Sequence, residues 1–224
     1  MQIDALSAPV PAEALTETDP PMPMLTTLEE LEAIYGQPHQ RSVRKELPFI
    51  NEDYRAFIEN APLVVLATAG PEGLDCSPRG DAPGFVRIVD ERTLALPDRV
   101  GNNRIDSLRN VIVNPHVGLL FIVPGVGETL RVNGRGRISA QPELLDSFAV
   151  NDKRPRTVLL VDVDAVYYHC SKALVRSQLW DASRHVERAR LPSAGEIHRR
   201  INGASFDVEA YDRDLAERLR TSLY

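Results

Sequence analysis

Apolar positions recur in two rhythms along this chain. Up to residue 60 they keep helical spacing. Leu28, Leu31 and Ile34 share one face behind Thr27, which can cap a helix, and Glu30, which completes a capping box; Gly36 marks the stop. A linker through Pro38 and Pro48 leads to residues 51–60, where Tyr54, Phe57 and Ile58 form the buried side of a second short helix. From Pro62 the rhythm is that of strands. Residues 63–69 are apolar throughout, the pattern of a strand covered on both faces. Gly70-Pro71-Glu72-Gly73 turns the chain, so residues 74–78 return antiparallel. Residues 85–89 and 93–96 make a second hairpin about Asp90-Glu91-Arg92.

Asn103 and Asp106 stand at N-cap and N3 spacing for a helix whose apolar side is Ile105, Leu108, Val111 and Ile112, ended by Pro115. Strands over 117–123 and 129–132 follow, and Gly134 and Gly136 predict a bend or bulge. Gln141-Pro142 opens a further helix; residues 157–168 form the longest strand; Ser171 caps a helix carrying Ala173, Leu174, Leu179 and Trp180; and the chain ends in a charged helix. Six or so short strands with few helices between them predict a mainly β fold with flanking helices (α+β), closed into a small barrel, since closure removes exposed edges. The organisation expected is an N-terminal arm with a short helix over 1–48, the barrel over 49–182 and a C-terminal helical extension over 183–224. Five prolines and four acids in residues 1–24 read as an extended arm.

The net charge of −6 disfavours nucleic acid and anionic membranes as partners, though it leaves room for a local basic pocket. Only Lys45, Lys153 and Lys172 are lysines; the other 23 basic residues are arginines, so no arginine stands out by type alone. Cys76 and Cys170 have no metal-ligand spacing, so no metal site is expected. Residues 1–40 contain no Lys or Arg and no useful apolar run, and no stretch approaches a membrane span, so a cytoplasmic protein is expected.

The chemistry concentrates in two polar loops, Cys76-Ser77-Pro78-Arg79-Gly80-Asp81 and Leu96-Pro97-Asp98-Arg99-Val100-Gly101-Asn102-Asn103-Arg104, the second running straight into a helix. A helix start offers free N–H groups and partial positive charge, and Arg99 and Arg104 flank that point. Guanidinium groups bind phosphate through forked pairs of hydrogen bonds, so the expected ligand is a small phosphorylated molecule. Gly125-Val126-Gly127 is no dinucleotide fingerprint, because Leu130 holds the third glycine position. No paired-carboxylate or Ser-His-Asp constellation stands out, so the catalytic residues stay unassigned.

Those two motifs, with Asn114-Pro115 and the segment His169-Cys170-Ser171-Lys172-Ala173-Leu174-Val175-Arg176-Ser177-Gln178-Leu179-Trp180, resemble the pyridoxamine 5′-phosphate oxidase-like flavoproteins over residues 50–182. The resemblance implies an FMN-binding split β-barrel and a homodimer with FMN at the subunit interface. One subunit would supply Ser77, Arg79, Arg99, Asn102, Asn103 and Arg104; the other would supply Ser177 and Trp180, with Lys172 nearby. It also implies an FMN-dependent oxidoreductase acting on a small-molecule substrate by hydride transfer. The alternatives are a non-enzymatic flavin-binding or sensing protein, or a split barrel binding another cofactor, a different flavin or haem. The sequence departs from the namesake oxidase in lacking its C-terminal histidine–arginine signature; Ile197-His198-Arg199-Arg200 is a poor imitation.

Overall fold

The structure, a computed structural model, describes residues 24–224. The arm expected over residues 1–24 lies, but for Met24, outside them. Two compact units are distinguished, divided after Val43. In the first, α1 (Leu28–Tyr35) starts at the expected capping box: Thr27 Oγ1 accepts the Glu30 N–H at 3.2 Å and the Glu30 carboxylate accepts the Thr27 N–H at 3.1 Å. Gly36 ends it at φ 66°, a left-handed value that a side chain would resist. A short helix α2 (Gln40–Arg44), spanning the division, stands where a linker was expected.

The second unit, Arg44–Tyr224, opens on α3 (Glu52–Asn60), capped by the Asn51 side chain. Seven antiparallel strands follow: β1 (Leu63–Gly70), β2 (Gly73–Gly80), β3 (Arg87–Asp90), β4 (Thr93–Asp98), β5 (His116–Ile122), β6 (Thr129–Ser139) and β7 (Thr157–His169). Their order in the sheet is β2-β1-β5-β6-β7-β4-β3. The sheet curls round one core in which Val64, Leu66, Leu94, Phe121, Leu130, Val132 and Val161 are buried. The curl brings β2, at one end of the sheet, to β4, where Arg79 meets Asp98 at 3.5 Å. No ladder joins the two strands, so the seam is closed by side chains, as in a split barrel.

Contrary to the expectation from its apolar composition, β1 is covered on one face only. Val64, Leu66 and Thr68 are buried while Leu63 and Ala67 are exposed, because an antiparallel sheet packs one face on the core and leaves the other open. β6 runs on through the two glycines, and its pairing with β7 shifts register between Asn133 and Gly134, the bulge expected there.

Helix α4 (Asp106–Val113) starts later than the sequence predicts. Its N-cap position is Ile105, at φ 54°, and no side chain caps it; Asn103, at φ 61°, lies outside the helix. α5 (Pro142–Ser147) covers the outer side of β4 through Leu145 and Phe148, which pack with Ala95 and Val158. In α6 (Lys172–Ser177) the Ser171 side chain makes no cap, and the chain turns left-handed at Gln178, so Leu179 and Trp180 fall beyond the helix. α7 (Ala194–Asn202) and α8 (Val208–Thr221) form a C-terminal pair. No helix among the described residues is long and apolar enough to cross a membrane.

Candidate functional site

β2 inverts the usual pattern of a strand over a core. Asp75, Ser77 and Arg79 are half-buried at alternate positions, while Leu74, Cys76 and Pro78 between them are exposed. Cys76 is therefore exposed, with a free thiol. A strand shows one face per alternate residue, so the polar set points together. These three side chains form one wall of a cleft of about 570 Å³; Asp98, loop 99–105, the start of α4 and Arg156 complete it.

Hydrogen bonds join the two sides of the cleft. The Ser107 hydroxyl, buried in the first turn of α4, donates to Asp75 Oδ2 and accepts from Arg79 Nη2 at 3.1 Å. The hydroxyls of Ser77 and Ser107 lie 2.8 Å apart, and Ser77 also reaches Asp75 Oδ2 at 3.0 Å. Arg156 donates to Asn103 Oδ1 at 3.0 Å, Asn102 Oδ1 accepts the Arg104 N–H at 3.1 Å, and Arg104 Nε donates to Asp106 at 2.8 Å. Burial pushes the Asp98 carboxyl above its ordinary value, against the opposing pull of Arg79 and Arg156. Ile105 is β-branched, and its left-handed backbone at the mouth of the helix is a strained conformation. Four arginines face three aspartates around the cleft, beside helix N–H groups that no side chain caps. That donor set suits a compact anion carrying more than one negative charge.

Arg99 reaches both the cleft and the C-terminal segment. Its Nε donates to Asp81 Oδ2 at 2.8 Å, its Nη1 donates to the Phe148 carbonyl at 2.7 Å, and its guanidinium lies 5.4 Å from the Tyr224 ring centre. The Tyr224 hydroxyl donates to the second oxygen of Asp81. Burial would raise the Asp81 carboxyl, but hydrogen bonds from Tyr224, the Ala82 N–H and Arg99 outweigh it and hold the group below the usual carboxylate range. The same bond to Asp81 pushes the Tyr224 phenol up.

Of the residues picked from the sequence, Ser77, Arg79, Arg99, Asn102, Asn103 and Arg104 line this one cleft. Lys172, Ser177 and Trp180 do not. Ser177 bonds the Leu174 carbonyl at 3.1 Å and Trp180 Nε1 bonds the Val126 carbonyl at 2.8 Å. Sequence reasoning missed Asp75, Asp98, Ser107 and Arg156. The polar alternation at 75, 77 and 79 was a usable signal for Asp75. Arg156 had none, because only the β4–β7 pairing that sets Asp98 opposite Thr157 brings it to the cleft. Among the described residues no cluster of His, Cys, Asp and Glu could hold a metal ion.

The family model for pyridoxamine 5′-phosphate oxidase matches residues 50–170, all of the barrel strands and the whole cleft. The chain belongs to this family. Solved structures similar to this oxidase-family chain include HupZ of Group A Streptococcus, 19% identical, over 55% of this chain and 95% of that one at a TM-score of 0.45. General Stress Protein 26 from Bacillus anthracis is 16% identical, over 51% and 88%, at 0.40. An FMN-binding protein from Syntrophomonas wolfei is 11% identical, over 63% and 95%, at 0.39. No curated protein matches the chain.

Proposed function

We propose that this member of the family is an FMN-dependent oxidoreductase acting on a small molecule, with the phosphate of FMN seated in the cleft. The observation that carries the reading is the convergence of Arg79, Arg104 and Arg156 on one cleft at the uncapped start of α4. When bound, FMN supplies hydride transfer. The chain's own residues bind and orient: Arg104, Arg156 and the α4 N–H groups meet the phosphate charge, while Ser77, Arg79, Asn102 and Asn103 offer hydrogen-bonding groups beside it. The protein is proposed to work as a homodimer, with Lys172, Ser177 and Trp180 of a second copy completing each site. The apolar outer positions Leu63, Leu74, Ile112 and Val113, all exposed, support such pairing.

Synthesis of pyridoxal phosphate is not part of the proposal. His198, the nearest echo of the namesake signature, packs against Phe206 and Tyr211 at ring distances of 5.4 and 4.8 Å, and Tyr211 Oη lies 3.1 Å from its Nε2. It serves the α7–α8 pair. Nor does the cleft favour haem: no His, Cys, Met or Tyr, the usual haem ligands, lines it.

Calorimetry tests the proposal. FMN is expected to bind more tightly than riboflavin by about 2–4 kcal/mol, the scale of a few charge-assisted hydrogen bonds. Arg156→Ala and Arg104→Ala should each erase part of that difference. Equal affinity for the two flavins overturns the phosphate seat. Anaerobic reduction of the bound flavin by a nicotinamide donor, with no pyridoxal phosphate formed from pyridoxamine phosphate, is the expected chemistry. A flavin that no biological donor reduces makes the protein a binder or sensor instead.

A further inference from the structure

Three segments far apart in the chain meet at Tyr224. Its hydroxyl donates to Asp81, which follows β2; its ring lies under the guanidinium of Arg99, which follows β4; and its backbone oxygen accepts from Lys153 Nζ at 2.7 Å, three residues before Arg156. Asp81 is the hub. One carboxylate oxygen takes the Tyr224 hydroxyl and the Ala82 N–H at 2.8 Å; the other takes Arg99 Nε. The cluster is well shielded, with 4% of the Asp81 side chain and 17% of the Arg99 side chain exposed. Arg99 opens loop 99–105, which lines the cleft and lies outside any helix or strand. Such a loop keeps its shape through side-chain anchors. Arg99 holds its start, and Arg156 holds its middle at Asn103 Oδ1.

We infer that Tyr224 is a positioning residue for the anion-binding loop, acting through Asp81 and Arg99 without touching the ligand. The C-terminal pair α7–α8 thereby gains a role at the cleft: it carries Tyr224 across to the foot of the loop. The bond to Asp81 fixes the carboxylate, the carboxylate fixes the rotamer of Arg99, and Arg99 holds the first residue of the loop. The hydroxyl and the ring act separately, one on Asp81 and the other on Arg99, so they can be removed one at a time. The inference rests on the proposed phosphate seat for its effect on binding, while its effect on the loop stands without any ligand.

The experiment uses the full chain and two variants, Tyr224→Phe and Tyr224→Ala, with two readouts. Hydrogen exchange in the ligand-free protein should show faster exchange of the amides at 100–104 in both variants, and unchanged exchange in the β5–β6 ladder. FMN should bind about 3- to 10-fold more weakly to Tyr224→Phe, less than the loss of a charge-assisted hydrogen bond made to the ligand itself because Tyr224 acts through Asp81 and Arg99, and more weakly still to Tyr224→Ala. Riboflavin affinity should stay unchanged, which a general loss of fold would not allow. Tyr224→Phe keeps the ring over Arg99 and guards against a variant that simply fails to fold. Unaltered exchange at 100–104, or equal weakening of FMN and riboflavin, overturns the inference. If wild-type protein does not prefer FMN to riboflavin, the phosphate seat fails, and the exchange data alone decide the role of Tyr224.

Discussion

At Asp98 burial and ion pairing pull in opposite directions, and burial wins. The unfolded chain ionises such a carboxyl near pH ~4, and the folded protein does so at higher pH. Between the two the folded state holds the extra proton, so this residue's contribution to stability falls as pH rises through that window. Asp98→Asn is therefore expected to gain stability over wild type at pH ~7 and to lose that gain toward pH ~4. Thermal melts of both proteins across that range check it, and a difference independent of pH contradicts it. Asp81 has the opposite sign. Its lowered carboxyl contributes above the unfolded value and loses that contribution only as pH falls through the lower folded one. Single residues were unevenly legible in the sequence. Ser77 and Arg79 stand out by period-two alternation of polar residues, and Asp75 belongs to the same series. Asn103 misled because its spacing to Asp106 suits a cap. The left-handed backbone at Asn103 and Ile105 moves the helix start past it, and its side chain meets Arg156 instead. Nothing local in the sequence announces a left-handed isoleucine.

The β6–β7 bulge shows why an element can depend on one missing side chain. A Cβ on Gly134 would stand 2.2 Å from the Asp162 carbonyl oxygen, a backbone atom that cannot step aside without breaking the ladder. Gly134→Ala is expected to lower stability by about 1–3 kcal/mol, the usual scale of overpacking. Urea titration measures it; a variant within experimental error of wild type would mean that the ladder yields there. Gly134 and Gly136 could be read from sequence as a bend, because glycine inside a strand has few other uses. The strands and their hairpins were legible for the same kind of reason, since turn residues punctuate them. α7 was not foreseen: Ser193 and Glu196 form a capping box at its start, but the polar segment around it offers too little apolar periodicity to draw attention to it. α2 has too little apolar periodicity to be seen at all.

For the molecule as a whole, the proposed pairing predicts sedimentation at about twice 24.9 kDa at micromolar concentration. Replacing Leu74, the most exposed of the outer apolar residues at 88%, with arginine should shift the protein toward monomer. A monomer that binds FMN one to one would end the shared-site proposal. The overall strand order could not be read from the sequence, because pairing between distant segments leaves no local trace. That order has a consequence for synthesis. β4 is delivered early, yet its long-range partner is β7, which starts at Thr157, and the β2–β4 seam is the last gap in the curl to be defined. A ribosome that has made both rims of the cleft has not yet made the strand that fixes their separation. Nascent chains stopped before residue 157 are accordingly expected to capture no FMN, and capture by such chains would show that the rims can form without β7. Loading with any ligand thus waits on β7: the nascent protein is obliged to remain empty until Thr157–His169 has been made.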